Sequence, residues 1–150
     1  MVDVLNGEIV HTPPSHKTLP EFVDALCLLF NDNSPDFFVH PVVKASIIHF
    51  LIGYFHPFVD GNGRTARALF YWYLLRKGYW LTEYLSISRV IMQSRSHYYK
   101  AFQYVEKDGN DLTYFVHYQA TTLKKAYEEL KRYIDRKTSE RKQRTSLLRM

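Results

Sequence analysis

The chain has 150 residues, of which 46% are hydrophobic, 16% aromatic and 23% charged, and this composition predicts one globular domain with a real core rather than a disordered chain. The single cysteine, Cys27, excludes a disulfide framework and a cysteine-based zinc site, and no apolar run is long enough to suggest a membrane span. No signal peptide is visible, so we expect a cytoplasmic protein without a membrane partner.

The net charge of +5 comes from one end of the chain. Residues 131–150 contain eight of the 20 basic residues and two of the 15 acidic ones, so residues 1–130 carry a net charge of −1. A nucleic-acid-binding domain usually has a basic face on the fold itself. We therefore expect nucleic acid as a partner only through a further domain outside this sequence.

The first part of the chain is expected to be irregular. An Asn-Gly pair at 6–7 favours a turn that opens a small β-hairpin, and the Pro-Pro pair at 13–14 cannot lie inside a helix. Thr18 and Glu21 have the spacing of a capping box, which predicts that the first helix begins there and ends near residue 31.

The remainder of the chain has the hydrophobic periodicity of helices, bounded by proline, glycine and capping residues. Helices are predicted over about 42–55, 62–77, 87–91 and 94–107, and a last long helix begins near 112. The periodic pattern fades after Ile134 and is absent from 138–150. The fold class is therefore mainly α, a helical bundle with a small β-hairpin near the N-terminus.

One segment differs from its apolar surroundings. Residues 56–67 read His-Pro-Phe-Val-Asp-Gly-Asn-Gly-Arg-Thr-Ala-Arg, between two strongly apolar helices. Glycines at the mouth of a helix, together with the free N–H groups and partial positive charge of its first turn, favour phosphate binding. Arg64 and Arg67 lie on one face of that helix, where both can bind phosphate oxygens.

Three other side chains of this segment suggest chemistry at the phosphate. Asn62 is an uncharged donor, and Asp60 fits beside an anion if Mg²⁺ accompanies the phosphates. His56 is the group that titrates near neutral pH, so it is the candidate general base. These arguments leave a kinase, a nucleotidyltransferase and a phosphohydrolase open.

The same segment resembles the Fic-domain signature, His-x-Phe-x-[Asp/Glu]-Gly-Asn-Gly-Arg-x-x-Arg, and matches every defined position. Segments 12–14, 86–91 and 98–102 also resemble Fic proteins, so the resemblance covers about residues 7–135. It implies a mainly α-helical Fic fold and a protein adenylyltransferase, which transfers AMP from ATP to a Tyr, Thr or Ser hydroxyl of a target protein with release of pyrophosphate. The alternatives are a Fic-type transferase that moves a different phosphate-containing group, and a non-enzymatic interaction module.

The resemblance also implies a role for each residue of the motif. His56 would deprotonate the target hydroxyl, and Asp60 would hold Mg²⁺. Phe58 would point into the core and anchor the loop. The ATP phosphates would be bound by Gly61, Asn62, Gly63, Arg64 and Arg67.

Two regions outside the motif would contact the substrates. Residues 7–17 would form a flap that docks the target protein, with Val10, His11 and Thr12 in contact with it. Tyr98 and Tyr99 would lie near the adenine of ATP.

Domain organisation and control complete these expectations. The Fic domain would cover 1–137, with the flap at about 7–17 and the catalytic loop at 56–67, and 138–150 would be a basic linker or tail leading to a further domain. Many Fic proteins are restrained by a helix with the pattern [Ser/Thr]-x-x-x-Glu-[Gly/Asn], whose glutamate pairs with the second arginine of the motif. No Ser or Thr in this sequence is followed by Glu four residues later. An inhibitory helix or antitoxin would therefore come from outside residues 1–150, and Arg67 is predicted to be free.

Overall fold

The computed structural model describes residues 11–33 and 35–147, and these residues form six α-helices and two short 3-10 helices, with no strand among them. The α-helices are α1 (Leu19–Phe30), α2 (Pro41–Phe55), α3 (Asn62–Arg76), α4 (Ile87–Gln93), α5 (Arg95–Lys107) and α6 (Thr113–Leu147). The 3-10 helices cover His16–Thr18 and Trp80–Tyr84. The prediction of a mainly α fold is confirmed, and none of the described helices is long and apolar enough to cross a membrane.

The predicted small β-hairpin is absent from the described part of the flap. Residues 7–10, which include Val10, lie outside the described residues, while 11–15 are irregular and 16–18 form a 3-10 helix. The two prolines at 13–14 have no N–H group, so this stretch cannot donate a ladder of hydrogen bonds. The predicted capping box is also wrong, because the Thr18 hydroxyl donates to the Ser15 carbonyl instead of capping α1.

The main core lies where α2 and α3 meet α5 and α6. The ring of Phe102 on α5 stacks on Phe50 of α2 with centroids 5.0 Å apart, and Phe115 of α6 packs edge-on against Phe102 at 4.8 Å. Gly53 makes this contact possible, because a Cβ at residue 53 would lie 2.6 Å from Cζ of Phe102. This close approach fixes the C-terminal end of α2 against α5.

Helix α1 covers the junction between α2 and α3. Phe22 of α1 stacks on Phe55 at the end of α2 with ring centroids 4.1 Å apart, and it also packs with the buried residues Ile52 and Ala66. The loop that joins α2 to α3 is therefore held on a rigid base formed by three helices.

An ionic network joins the ends of α1, α2 and α3. Asp32 follows α1 and accepts hydrogen bonds from Nζ of Lys44 at 3.1 Å and from the Tyr73 hydroxyl at 2.6 Å, and it forms an ion pair with Nζ of Lys77 at 2.6 Å. Burial by itself would raise the pKa of Asp32, but the hydrogen bonds from these three side chains outweigh it and hold the pKa well below its ordinary value. The network fixes the far ends of the two helices that carry the motif.

Helix α6 continues past the predicted domain boundary. It runs without interruption from Thr113 to Leu147, so residues 138–147 are helical rather than irregular. All of residues 131–145 are exposed. A helix that is polar on all sides is typical of a solvated connection between domains, and the division into a domain and a linker at 137 stays a prediction.

Candidate active site

The motif lies at a sharp reversal of the chain between α2 and α3. Helix α2 ends at Phe55 and is followed by His56, which has the left-handed conformation (φ 48°, ψ 54°), and α3 begins after Gly61, whose φ is 89°. Pro57 cannot continue the first helix, and glycine adopts a positive φ without steric cost. The loop 57–61 thereby places the C-terminus of α2 beside the N-terminus of α3.

The ring of His56 has a defined tautomer. The carbonyl of Gly53 would normally bond the N–H of residue 57, but Pro57 has none, and Nδ1 of His56 donates to this carbonyl at 2.7 Å. In the neutral ring this proton is on Nδ1 and the lone pair is on Nε2. His56 is partly exposed, so Nε2 is able to accept a proton from a bound group.

The side chain of Asn62 closes the loop instead of facing a ligand. Its Oδ1 accepts from the Phe58 N–H at 2.9 Å, its Nδ2 donates to the Phe58 carbonyl at 2.6 Å, and the residue is buried. The contact of this side chain with phosphate stays a prediction. The backbone N–H of Asn62 belongs to the first turn of α3, which no side chain caps.

The loop is not anchored by its aromatic residue. Phe58 was predicted to point into the core, but it is 50% exposed, and the neighbouring Val59 is fully exposed. The backbone of Phe58 is held by Asn62, and this clamp leaves the phenyl ring at the surface.

The two arginines of the motif differ in their surroundings. Arg64 is exposed and pairs with the exposed carboxylate of Asp60, with Nη2 and Oδ2 2.9 Å apart. Arg67 is partly buried, and it makes no hydrogen bond or ion pair with any residue that the structure describes. Its Nη1 would lie 3.2 Å from a Cβ at residue 63, so Gly63 leaves room for the guanidinium over the first turn of α3.

The buried histidine near Arg67 is neutral. His49 of α2 is completely buried, and burial, together with the positive charge of Arg67, lowers its pKa to about 3. Nε2 of Gln119 donates to Nδ1 of His49 at 3.1 Å, so the ring proton is on Nε2, which faces the Tyr98 hydroxyl at 3.3 Å. A neutral histidine leaves the charge of Arg67 available for an anion.

The two tyrosines proposed as adenine contacts belong to the packing of α5. Tyr98 is buried against His49 and Phe102, and its contact with adenine stays a prediction. Tyr99 is partly buried and packs against the same core. The resemblance to Fic proteins implies both contacts, whereas aromatic residues at helical spacing are more often core residues.

A single cavity of about 300 Å³ brings the motif together. It is lined by the following residues: His56, Val59, Asp60, Gly61, Asn62, Gly63, Arg64 and Arg67. The cavity therefore combines an imidazole lone pair, an exposed carboxylate, an uncapped helix N-terminus and an arginine without an acidic partner in the described chain. This set of groups suits a bound polyphosphate and the transfer of a proton beside it.

The sequence did not indicate the contacts of His11. This residue is buried, and its ring bridges Oε1 of Glu106 on α5 and the carbonyl of Tyr54 at the end of α2. Its ring centroid lies 6.5 Å from that of His56. Thr12 is exposed.

Residues 2–74, which contain the whole motif, match the Fic/DOC family. This part of the chain belongs to that family. It is 40% identical over 73 residues to a protein adenylyltransferase Fic from Nematostella vectensis, and 32% identical over 111 residues to a protein of the same name from Aedes aegypti. These alignments cover 46% and 73% of the chain, but only 16% and 20% of the relatives' lengths.

The fold agrees with a Fic protein of known structure. The crystal structure of a Fic family protein from Desulfovibrio desulfuricans superimposes with a TM-score of 0.70 and 29% identity. The match covers 82% of this chain and 36% of the other. The predicted Fic fold is therefore confirmed as an all-helical domain in the described residues, without the hairpin.

Proposed function

We propose that this Fic domain binds ATP and transfers AMP to a Tyr, Thr or Ser hydroxyl of a target protein. The observation that carries the proposal is the geometry of His56, whose Nδ1 donates to the Gly53 carbonyl and whose side chain lines the same cavity as the groups that would bind phosphate. The relatives' name, protein adenylyltransferase, is in agreement with it.

In the proposed reaction, the chain supplies a base and a site for the phosphates. Nε2 of His56 takes the proton of the target hydroxyl, whose oxygen forms a bond to the α-phosphorus of ATP. The bond from the α-phosphorus to the oxygen that bridges it to the β-phosphorus breaks, and pyrophosphate leaves. The N–H groups of the first turn of α3, together with Arg64 and Arg67, bind the phosphate oxygens and stabilise the charge on the leaving group.

Asp60 fits the role of a ligand for Mg²⁺. Its carboxylate is exposed at the edge of the cavity, and Mg²⁺ in nucleotide sites is usually held by one or two carboxylates and by phosphate oxygens. The pair with Arg64 is an exposed one, which contributes about 0–1 kcal/mol, so exchanging it for a metal ion costs little. When bound, Mg²⁺ would neutralise phosphate charge beside Asp60.

The state of Arg67 supports the expectation about control. No acidic residue of the described chain pairs with Arg67. We propose that an inhibitory helix or antitoxin, where one acts on this site, comes from outside residues 1–150.

The test uses the 150-residue chain with magnesium and ATP labelled at either the α- or the γ-phosphate. The proposal expects α-label on the protein and release of pyrophosphate, and replacing His56 with Ala should reduce the rate by about 10²–10⁴. His97 is exposed and lies outside the cavity, so His97→Ala is the matched control and should keep the rate. Label from the γ-phosphate alone would show a different Fic-type transferase, and no label with no pyrophosphate would favour an interaction module.

A further inference from the structure

Two grooves lie between α6 and the segment that contains the 3-10 helix Trp80–Tyr84. Leu85 and Tyr127 line the first groove, and their neighbours in the chain, Tyr84 and Ala126, line the second, so the two grooves adjoin. Neither groove shares a residue with the cavity of the motif. The two grooves together, here named the α6 surface, are therefore not part of the site proposed for ATP.

The first groove is apolar. It has a volume of about 480 Å³, and Lys124 is the one charged residue that lines it among the described residues. Leu85 and Leu123, which pack against the main core, contribute aliphatic surface to it. Trp80 and Tyr127 also line it, and they are 65% and 48% exposed. Exposed aromatic rings beside an apolar groove are typical of a surface that a partner covers, so this groove suits a large apolar side chain.

The second groove is basic. It has a volume of about 590 Å³ and is lined by three arginines and one acidic residue, Glu129, which already pairs with Arg89 at 3.3 Å. Arg132 makes no hydrogen bond or ion pair with any residue that the structure describes. The guanidinium of Arg136 lies over the ring of Tyr133, with Cζ 5.6 Å from the ring centroid. These arginines are available to bind carboxylates.

The surroundings of the second groove add to its positive charge. It lies at the start of the segment 131–150, which has eight basic and two acidic residues. One of these acidic residues, Glu140, is 3.8 Å from Arg136 but 2.7 Å from Lys137, so Lys137 is its closer partner. An anionic group that approaches this part of α6 is therefore attracted by an excess of positive charge.

This distribution of charge favours one kind of occupant. A second copy of the chain would bring the same arginines against each other, because a two-fold interface pairs identical surfaces. A nucleic-acid strand has a phosphate at every nucleotide and would need basic groups along both grooves, whereas the first groove has Lys124 alone. A protein segment that carries a large apolar side chain next to several carboxylates matches both grooves.

We propose that the α6 surface binds an acidic segment of a partner protein, with a large apolar side chain in the first groove and carboxylates on Arg132 and Arg136. The residue types of the surface agree with this role, because Trp, Tyr and Arg contribute most of the binding energy at protein interfaces. The proposal gives the domain a second binding function. It does not depend on the proposed AMP transfer, and its test contains no ATP.

The probe is a fluorescein-labelled peptide with Trp and Leu between two runs of Glu, and fluorescence anisotropy measures its binding to the 150-residue chain. A peptide of Glu alone and an oligo-dT strand carry the same label. The proposal expects the first peptide to bind at least about 10-fold more tightly than the other two, and more weakly as the salt concentration rises. Equal binding of the Glu peptide, tighter binding of oligo-dT, or no binding of the first peptide overturns the proposal.

Charge reversal tests the second groove. The double variant Arg132→Glu, Arg136→Glu should bind the peptide about 10-fold more weakly or worse, because like charges then face each other. The matched control is Arg141→Glu, Arg144→Glu, which changes the net charge equally on the same helix but outside both grooves. A larger loss in the first pair supports the proposal, and an equal loss in both pairs overturns it as a general effect of charge.

Truncation of a tryptophan tests the first groove. Trp80→Ala should weaken peptide binding about 10- to 30-fold. Trp72 is 60% exposed and lies outside both grooves, so Trp72→Ala is the control and should keep the affinity. Circular dichroism verifies that all variants keep their helices. Unchanged binding by Trp80→Ala overturns the proposal, and so does a dimer of the parent chain in sedimentation that Trp80→Ala converts to a monomer, since a second copy would then cover the surface.

Discussion

Replacing Asn62 with Ala distinguishes two roles for this residue, a clamp on the loop and a ligand for phosphate. The structure gives its side chain two hydrogen bonds to the backbone of Phe58, at 2.9 and 2.6 Å. Each hydrogen bond contributes about 1 kcal/mol to the free energy of unfolding. Because Phe58 is half exposed, water can reach its freed backbone groups, and we expect a total loss of about 2 kcal/mol.

The measurement is urea unfolding followed by circular dichroism, with the free energy of unfolding extrapolated to water. Asn33→Ala is the matched control, because Asn33 is exposed and its side chain makes no hydrogen bond among the described residues. This control should stay within about 0.5 kcal/mol of the parent chain. ATP affinity is measured on the same samples at a temperature at which every variant is folded.

The clamp and the phosphate ligand predict different pairs of results. A clamp predicts lower stability together with weaker ATP binding, because the loop that carries the phosphate site loosens. A phosphate ligand predicts unchanged stability and weaker ATP binding. If Asn62→Ala unfolds within about 0.5 kcal/mol of the parent, the reasoning from the Phe58 contacts is refuted.

Three further predictions follow from other parts of the structure. Asp32→Asn should lower the free energy of unfolding by about 1–3 kcal/mol at neutral pH. Because the pKa of Asp32 is lowered in the folded state, this contribution is present above about pH 3.8 and is lost as the pH falls further. The unfolding curves of parent and variant should therefore converge in acid. Gly63→Ala should weaken ATP binding several-fold in titration calorimetry, because the new Cβ displaces the Arg67 guanidinium. It should not lower stability, because alanine favours the helix. Unchanged ATP affinity would contradict this prediction. Asp60→Asn should abolish the difference in ATP affinity between magnesium and a chelator, and a variant that keeps the full magnesium effect would exclude Asp60 as the ligand.

The helices and the position of the site could be predicted from the sequence. Helices expected over about 42–55 and 62–77 are observed at Pro41–Phe55 and Asn62–Arg76, because proline and glycine mark their ends and their apolar periodicity is strong. The residues of the motif lie within twelve consecutive positions, and a single chain reversal brings them to one cavity. Their individual roles stay predictions until the activity is measured.

The directions of individual side chains could not be predicted in the same way. At the loop, Phe58 is half exposed and Asn62 is buried, and hydrophobic periodicity carries no information on either. The same holds for Tyr98, since spacing places it on a helix face but does not say that it packs against Phe102. The contact of His11 with Glu106 joins residues 95 positions apart, and nothing local in the sequence marks it.

The end of α2 explains why two histidines meet at this site. The last carbonyls of a helix lack N–H partners, and here the partners of Gly53 and Tyr54 are removed for different reasons. Proline at 57 has no N–H, and the N–H of residue 58 is used by the clamp from Asn62. Each carbonyl instead accepts from an imidazole, one belonging to the proposed base and the other to the segment before α1. Because both rings are bound by neighbouring carbonyls of one helix, the distance between His56 and the segment before α1 is set by the backbone of α2 rather than by a flexible loop.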